Sequence, residues 1–240
     1  LREMLKNHHN LFVQGINGSG KTYAIYSLID DYYKDRYIYL HLDQRDNDRD
    51  VFHNSLEKAF SYASLDLNHL KIEKPYLLVL DQFECIHQQN IYDILTYFLS
   101  YHSQQLYVII LSRQPLPESF YSLIQYHHLT LVDKCPLFFD KNETVRLSKM
   151  LHVQNSEPYL LWQQSYGWPL IVSYVCLHDI VYHQDDFVIN DFFKKMTLSS
   201  SIIELVKLIA LAPYMTVSLL KTLNIHDLMK NLTYLCQISL

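Results

Sequence analysis

The chain has 240 residues, a formal net charge of −5 and four glycines, against about 17 glycines at ordinary usage. The acidic balance argues against the chain gripping nucleic acid by itself through phosphate neutralisation, and no apolar run approaches the roughly 18 residues of a membrane span. The cysteines Cys85, Cys135, Cys176 and Cys236 are scattered with no zinc or disulfide spacing, and no signal-peptide pattern opens the chain, so a reducing cytoplasm is the expected compartment.

Leu11-Phe12-Val13-Gln14 reads as a short buried strand. It runs into Gly15-Ile16-Asn17-Gly18-Ser19-Gly20-Lys21-Thr22, which holds three of the four glycines and fits G-x-x-x-x-G-K-T. Lys21 to Asp30 then reads as a helix. A glycine loop between strand and helix is a phosphate cradle: main-chain N–H groups wrap the phosphates and the helix N-terminus adds positive charge. Gly15, Asn17, Gly18, Ser19 and Gly20 form the expected cradle. Lys21 would reach the β- and γ-phosphates, and the Thr22 hydroxyl would bind Mg²⁺. The expected ligand is a nucleoside triphosphate.

Tyr37 to Leu42 reads as a second strand, followed by the polar loop Asp43 to Asp48 and a helix carrying Phe52, Leu56, Ala59 and Phe60. After Pro75, the run Tyr76-Leu77-Leu78-Val79-Leu80 is apolar enough for a parallel strand buried on both faces, and it ends in Asp81, the expected magnesium partner acting through a water. Gln82 follows. Its neutral amide can orient a water but cannot take a proton near pH 7, so hydrolysis is expected to be slow or absent. Glu84, two residues further, is expected to point elsewhere. Ile91, Ile94, Leu95, Phe98 and Leu99 stripe a helix. Leu106 to Leu111 makes a strand ending in Ser112-Arg113, where the forked Arg113 donors can sense a γ-phosphate or can be an ordinary surface arginine. Leu129 to Val132 completes five strands. Residues 1–132 are therefore expected to form an α/β domain with a parallel five-stranded sheet covered on both faces.

Beyond 132 the strand signal fades. Residues 133–197 read as a helical domain: Asp140-Lys141-Asn142-Glu143 forms a capping box, a helix spans Pro158 to about Tyr166, and Gly167-Trp168-Pro169 joins it to the next. Residues 198–240 read as short helices of a winged-helix-like module. The chain begins at Leu1 and ends in Ile238-Ser239-Leu240, and is read as a fragment. The twenty tyrosines, Tyr32, Tyr33, Tyr37 and Tyr39 among them, are expected to pack rather than stack on bases, and the thirteen histidines to be ordinary surface or packed residues.

In their order these motifs resemble the signal-transduction ATPases with numerous domains (the STAND class), and within it the MalT-like, large LuxR-type transcription regulators. The resemblance rests on the glycine loop and Asp81, on Leu42-Asp43-Gln44-Arg45-Asp46-Asn47-Asp48 with Phe52, on Ser112-Arg113 with Pro115 and Pro117, and on Gly167-Trp168-Pro169. It implies an ATP/ADP switch with Mg²⁺ and at most weak ATPase activity. Lys21, Asp81, Gln82 and Arg113 would stand at the reacting phosphate, and Pro169 near the adenine. It also implies self-association in the ATP state and a DNA-binding domain beyond residue 240. The departure is Gln82, where the family carries an acid. A STAND ATPase with another effector, or a small-molecule kinase on the same framework, are the alternatives; no Arg-rich lid favours the kinase.

Overall fold

The computed structural model describes residues 2–7, 9–69, 72–101, 105–132, 137–153 and 157–178, with 202 and 205. The chain forms two compact units, Leu1–Leu137 and Phe138–Leu240.

The first unit runs α1 (Arg2–Lys6), β1 (Leu11–Gln14), α2 (Lys21–Tyr32), β2 (Tyr37–His41), α3 (Arg49–Tyr62), β3 (Tyr76–Asp81), α4 (Gln89–Tyr101), β4 (Leu106–Ser112), α5 (Tyr121–Gln125) and β5 (Thr130–Val132). The five strands form one parallel sheet in the order β2-β3-β4-β1-β5. All five lie where the apolar runs put them. Their ends shift by a residue for local reasons. Leu42 still donates its N–H to the Asp81 carbonyl at 2.9 Å, although β2 closes at His41, and Leu129 N bonds Leu123 O at 3.1 Å, so it belongs to the turn after α5.

Strand alternation splits the core in two. Leu11, Val13, Leu77, Val79, Ile109 and Leu111 face α1 and α2, meeting Leu5, Ile25, Ile29 and Tyr33. Phe12, Leu78, Leu80, Val108 and Ile110 face α3, α4 and α5, meeting Phe52, Leu56, Phe60, Ile91, Leu95 and Leu123. The strand order explains the division. The crossover from β1 moves across the sheet one way to reach β2, whereas those from β2, β3 and β4 move the other way. Right-handed crossovers running in opposite directions place their helices on opposite faces. The direction changes between β1 and β4, and there the C-terminal strand ends open a crevice.

In the second unit, Asp140 accepts from Glu143 N at 2.7 Å while Glu143 Oε2 accepts from Asp140 N at 2.8 Å. This is the expected capping box, and it opens α6 (Lys141–Met150). Next come α7 (Pro158–Ser165) and α8 (Pro169–His178), whose Leu161, Ile171, Val172 and Val175 form a small core with Cys176. The helices expected beyond residue 200, and with them the winged-helix-like module, lie outside the described residues, Ile202 and Leu205 excepted.

Candidate functional site

The glycine loop leaves the end of β1 beside β4: Gln14 pairs with Ser112, and Gly15 N donates to Ser112 O at 3.1 Å. Gly18 and Gly20 have φ of 67° and 86°, in the left-handed region that admits glycine without strain. Gly20 is the N-cap of α2 and no side chain caps that end. The first-turn amides of a helix lack intrahelical acceptors, so the loop and helix together present donors suited to an anion. Lys21 Nζ bends back to donate to the carbonyls of Gly15 at 2.5 Å and Ile16 at 3.0 Å. That arrangement holds the ammonium over the loop. Ser19 is fully buried, its N–H donating to Ile16 O at 3.3 Å, and Asn17 and Gly18 line the mouth.

Asp81 ends β3 two strands away, yet it reaches this loop. Thr22 Oγ1 donates to Asp81 Oδ2 at 3.0 Å, Gln82 N donates to Oδ1 at 2.9 Å, and the Tyr39 hydroxyl donates to Oδ2 as well. The carboxylate is 5% exposed, so its burial is offset by three donors. Tyr39 was expected only to pack. Instead, its hydroxyl serves Asp81, and burial first and then the Asp81 hydrogen bond and charge push its phenol well above the ordinary range. Its ring stacks on Tyr26 with centroids 4.8 Å apart. The periodicity of β2 could not single it out; only the pairing of β2 with β3 brings it to Asp81.

Gln82 adopts φ 59°, ψ 40°. A non-glycine residue there costs about 1–2 kcal/mol. The left-handed turn redirects the chain into a 3-10 turn over Phe83–Cys85 and overturns the expectation for Glu84. Its carboxylate lines the cleft rather than pointing elsewhere, accepting from Arg113 N at 3.0 Å and from Arg113 Nε. Ser112, 1% exposed, closes the turn at the end of β4 by accepting from Gln114 N at 3.0 Å. The polar Asp43–Asp48 loop is structural. Asp43 and Asp46 cap a 3-10 turn, Asp48 caps α3, Ser55 Oγ donates to buried Asp46 at 2.7 Å, and Asn47 Oδ1 accepts from His87 N and Gln88 N at 2.7 and 3.1 Å.

Lys21, Thr22, Asp81, Gln82 and Arg113 thus share one cleft of about 280 Å³. That lies at the lower end of the roughly 300–1,000 Å³ of ordinary small-molecule sites. A larger hollow of about 650 Å³ lies along β2 and α3, and it contains none of the glycine loop. Pro169, at the head of α8, belongs to the second unit.

Among the described residues no cluster of three or more His, Cys, Asp or Glu forms a metal cage. A phosphate-bound Mg²⁺ needs only one or two protein ligands, and the adjacent Thr22 hydroxyl and Asp81 carboxylate fit that demand. No helix among the described residues is long and apolar enough to cross a membrane. No protein-family model matches the chain, and no curated protein matches it either.

Proposed function

We propose that the first unit is a P-loop nucleotide-binding domain that holds ATP or ADP with Mg²⁺. On this reading the loop from Gly15 to Gly20 and the head of α2 wrap the phosphates, and Lys21 neutralises the β- and γ-phosphates. Thr22 and Asp81 hold the metal. The observation that carries this reading is the Thr22–Asp81 hydrogen bond of 3.0 Å, which joins the glycine loop to an acidic strand end two strands away.

We further propose that the chain is the switch portion of a STAND ATPase of the MalT-like, large LuxR type. It would comprise a helical domain and a winged-helix-like module after the nucleotide domain, with Pro169 near the adenine, and would work in the cytoplasm. The order of the four motif groups supports this. A nucleotide shifts such an equilibrium only through contacts that differ between its two arrangements. Self-association in the ATP state and DNA binding through residues beyond 240 belong to the same proposal.

The test is calorimetric titration of the chain with ATP and ADP, with and without Mg²⁺. One-to-one binding that Mg²⁺ strengthens is expected, and Asp81→Asn should remove most of the Mg²⁺ effect. Absence of binding at millimolar nucleotide would end the reading.

Hydrolysis should be weak. Gln82 has no group to accept a proton, and both oxygens of Glu84 accept from Arg113. Gln82→Glu should raise kcat by about tenfold or more, in keeping with the gain from a placed general base. The ATP affinity should change by less than about threefold, since the same phosphate contacts remain. An unchanged turnover in a steady-state phosphate-release assay would remove Gln82 as the limiting feature.

A further inference from the structure

Glu84 is held more rigidly than its place on a three-residue turn suggests. Phe83, 1% exposed, anchors the turn in the core, with its ring edge-on to Phe12 at 6.2 Å and stacked on Phe120 at 5.9 Å. The left-handed Gln82 fixes the entrance of the turn. Asn47 fixes its exit by accepting from the His87 and Gln88 amides. From this support the Glu84 carboxylate spends one oxygen on the Arg113 amide at 3.0 Å and the other on Arg113 Nε. The two side chains are 9% and 24% exposed. Contact through Nε leaves the outer fork untouched: among the described residues, the terminal nitrogens of Arg113 make no hydrogen bond.

This is the geometry of an orienting contact. A carboxylate competing with a phosphate for Arg113 would take the outer fork, the edge that matches phosphate bidentately. Here it takes the inner edge and the main chain. Arginine loses much rotamer freedom when immobilised, and a guanidinium already fixed avoids that loss when an anion arrives. Removing the acceptor should therefore weaken the contact even though it also removes a negative charge from the cleft.

We propose, on the nucleotide reading above, that Glu84 is a positioning residue. It holds Arg113 by Nε and the main-chain amide so that the terminal guanidinium nitrogens meet the terminal phosphate of a nucleoside triphosphate. Discrimination of ATP from ADP rests on this pair. ADP lacks the phosphate that Arg113 would meet, so the ratio of the two affinities isolates the effect from general changes in charge or stability.

The experiment is calorimetric titration of Mg²⁺-ATP and Mg²⁺-ADP into the wild-type chain, Glu84→Ala, Glu84→Gln, Arg113→Ala and the Glu84→Ala/Arg113→Ala double variant, with folding followed by circular dichroism. Glu84→Ala should lower the ATP:ADP affinity ratio about tenfold, the scale of one charge-assisted hydrogen bond. Glu84→Gln leaves one acceptor oxygen for the two Arg113 donors and turns an N–H donor toward the other, so its ratio should fall by about threefold or more. The double variant should show no lower ratio than Arg113→Ala alone, as expected of residues acting as one unit. A ratio that is unchanged or raised in Glu84→Ala, with both nucleotides still bound, would overturn the positioning role and leave the nucleotide site standing. If Glu84→Ala fails to fold, an unchanged ratio in Glu84→Gln decides against the proposal, because a single acceptor oxygen cannot hold both Arg113 donors. A wild-type chain that binds neither nucleotide overturns both readings.

Discussion

Lys21→Ala should cost the chain about 100-fold or more in ATP affinity while leaving it folded. The magnitude follows from the bonds at stake. An ammonium bridging two phosphates makes at least two charge-assisted contacts, each worth about 1.5–3 kcal/mol, and 1.4 kcal/mol is a factor of ten. The folded chain stands to lose much less. Lys21 Nζ meets two main-chain carbonyls of its own loop, part-buried at Gly15 and exposed at Ile16. Their loss leaves acceptors that water can serve, and no core residue moves. Lys21→Arg serves as a control, because it keeps the charge but replaces a compact donor with a planar fork in a loop built closely around the lysine: a Cβ on Gly15 would stand 3.6 Å from Lys21 Cδ. Its affinity should fall between the other two. Nearly unchanged ATP binding by Lys21→Ala in calorimetry, with an unchanged melting curve, would show that the loop is a structural turn.

The residues that carry that result were legible in the sequence because each announces itself locally. Three of the four glycines, Gly15, Gly18 and Gly20, fall within six residues and mark a backbone that must turn left or pass close to its neighbours. The apolar runs ending in Gln14, Asp81 and Ser112 mark buried strands with polar ends. The Asp140–Glu143 spacing marks a helix start. Tyr39 and Glu84 were not legible, for different reasons. Tyr39 becomes a site residue only because β2 lies beside β3, and strand order is set by crossover direction across the whole sheet, which no local period encodes. Glu84 is expected to point elsewhere because it stands two residues beyond Gln82. The left-handed Gln82 invalidates that count, and nothing in a Gln side chain signals positive φ. Phe83 is the clue that was available: a large apolar residue directly after Asp-Gln must turn into the core, and its burial carries Glu84 to the cleft.

Gly167→Ala should destabilise the second unit by about 2–5 kcal/mol, a large share of the 5–15 kcal/mol that holds a typical domain. Gly167 has φ 74°, and a Cβ built on it would lie 2.0 Å from the Phe139 carbonyl oxygen and 3.0 Å from its carbon. Backbone, unlike the tip of a side chain, cannot swing aside. The left-handed conformation alone costs an alanine about 1–2 kcal/mol. Displacing Phe139 would add the loss of two hydrogen bonds, Phe139 N to Gly167 O at 2.8 Å and Trp162 Nε1 to Phe139 O at 3.2 Å, each worth about 0.5–1.5 kcal/mol net. The neighbouring residue provides an opposite expectation. Tyr166 is also left-handed at φ 51°, but it is 81% exposed, so Tyr166→Gly relieves strain with little lost packing and should leave stability equal or up to about 1 kcal/mol higher. Both tryptophans of the chain, Trp162 and Trp168, lie in this unit. Urea unfolding followed by tryptophan fluorescence therefore reads the second unit alone, and nucleotide binding by the first unit can be assayed on the same samples. If the urea midpoint of Gly167→Ala matches the wild type, the Phe139 carbonyl can yield and the glycine serves something other than the joint between α7 and α8. If the midpoint falls while ATP affinity holds, the joint is structural and the two units bear their loads separately. If both fall, the second unit contributes to the bound nucleotide, as a switch whose helices close on the base requires.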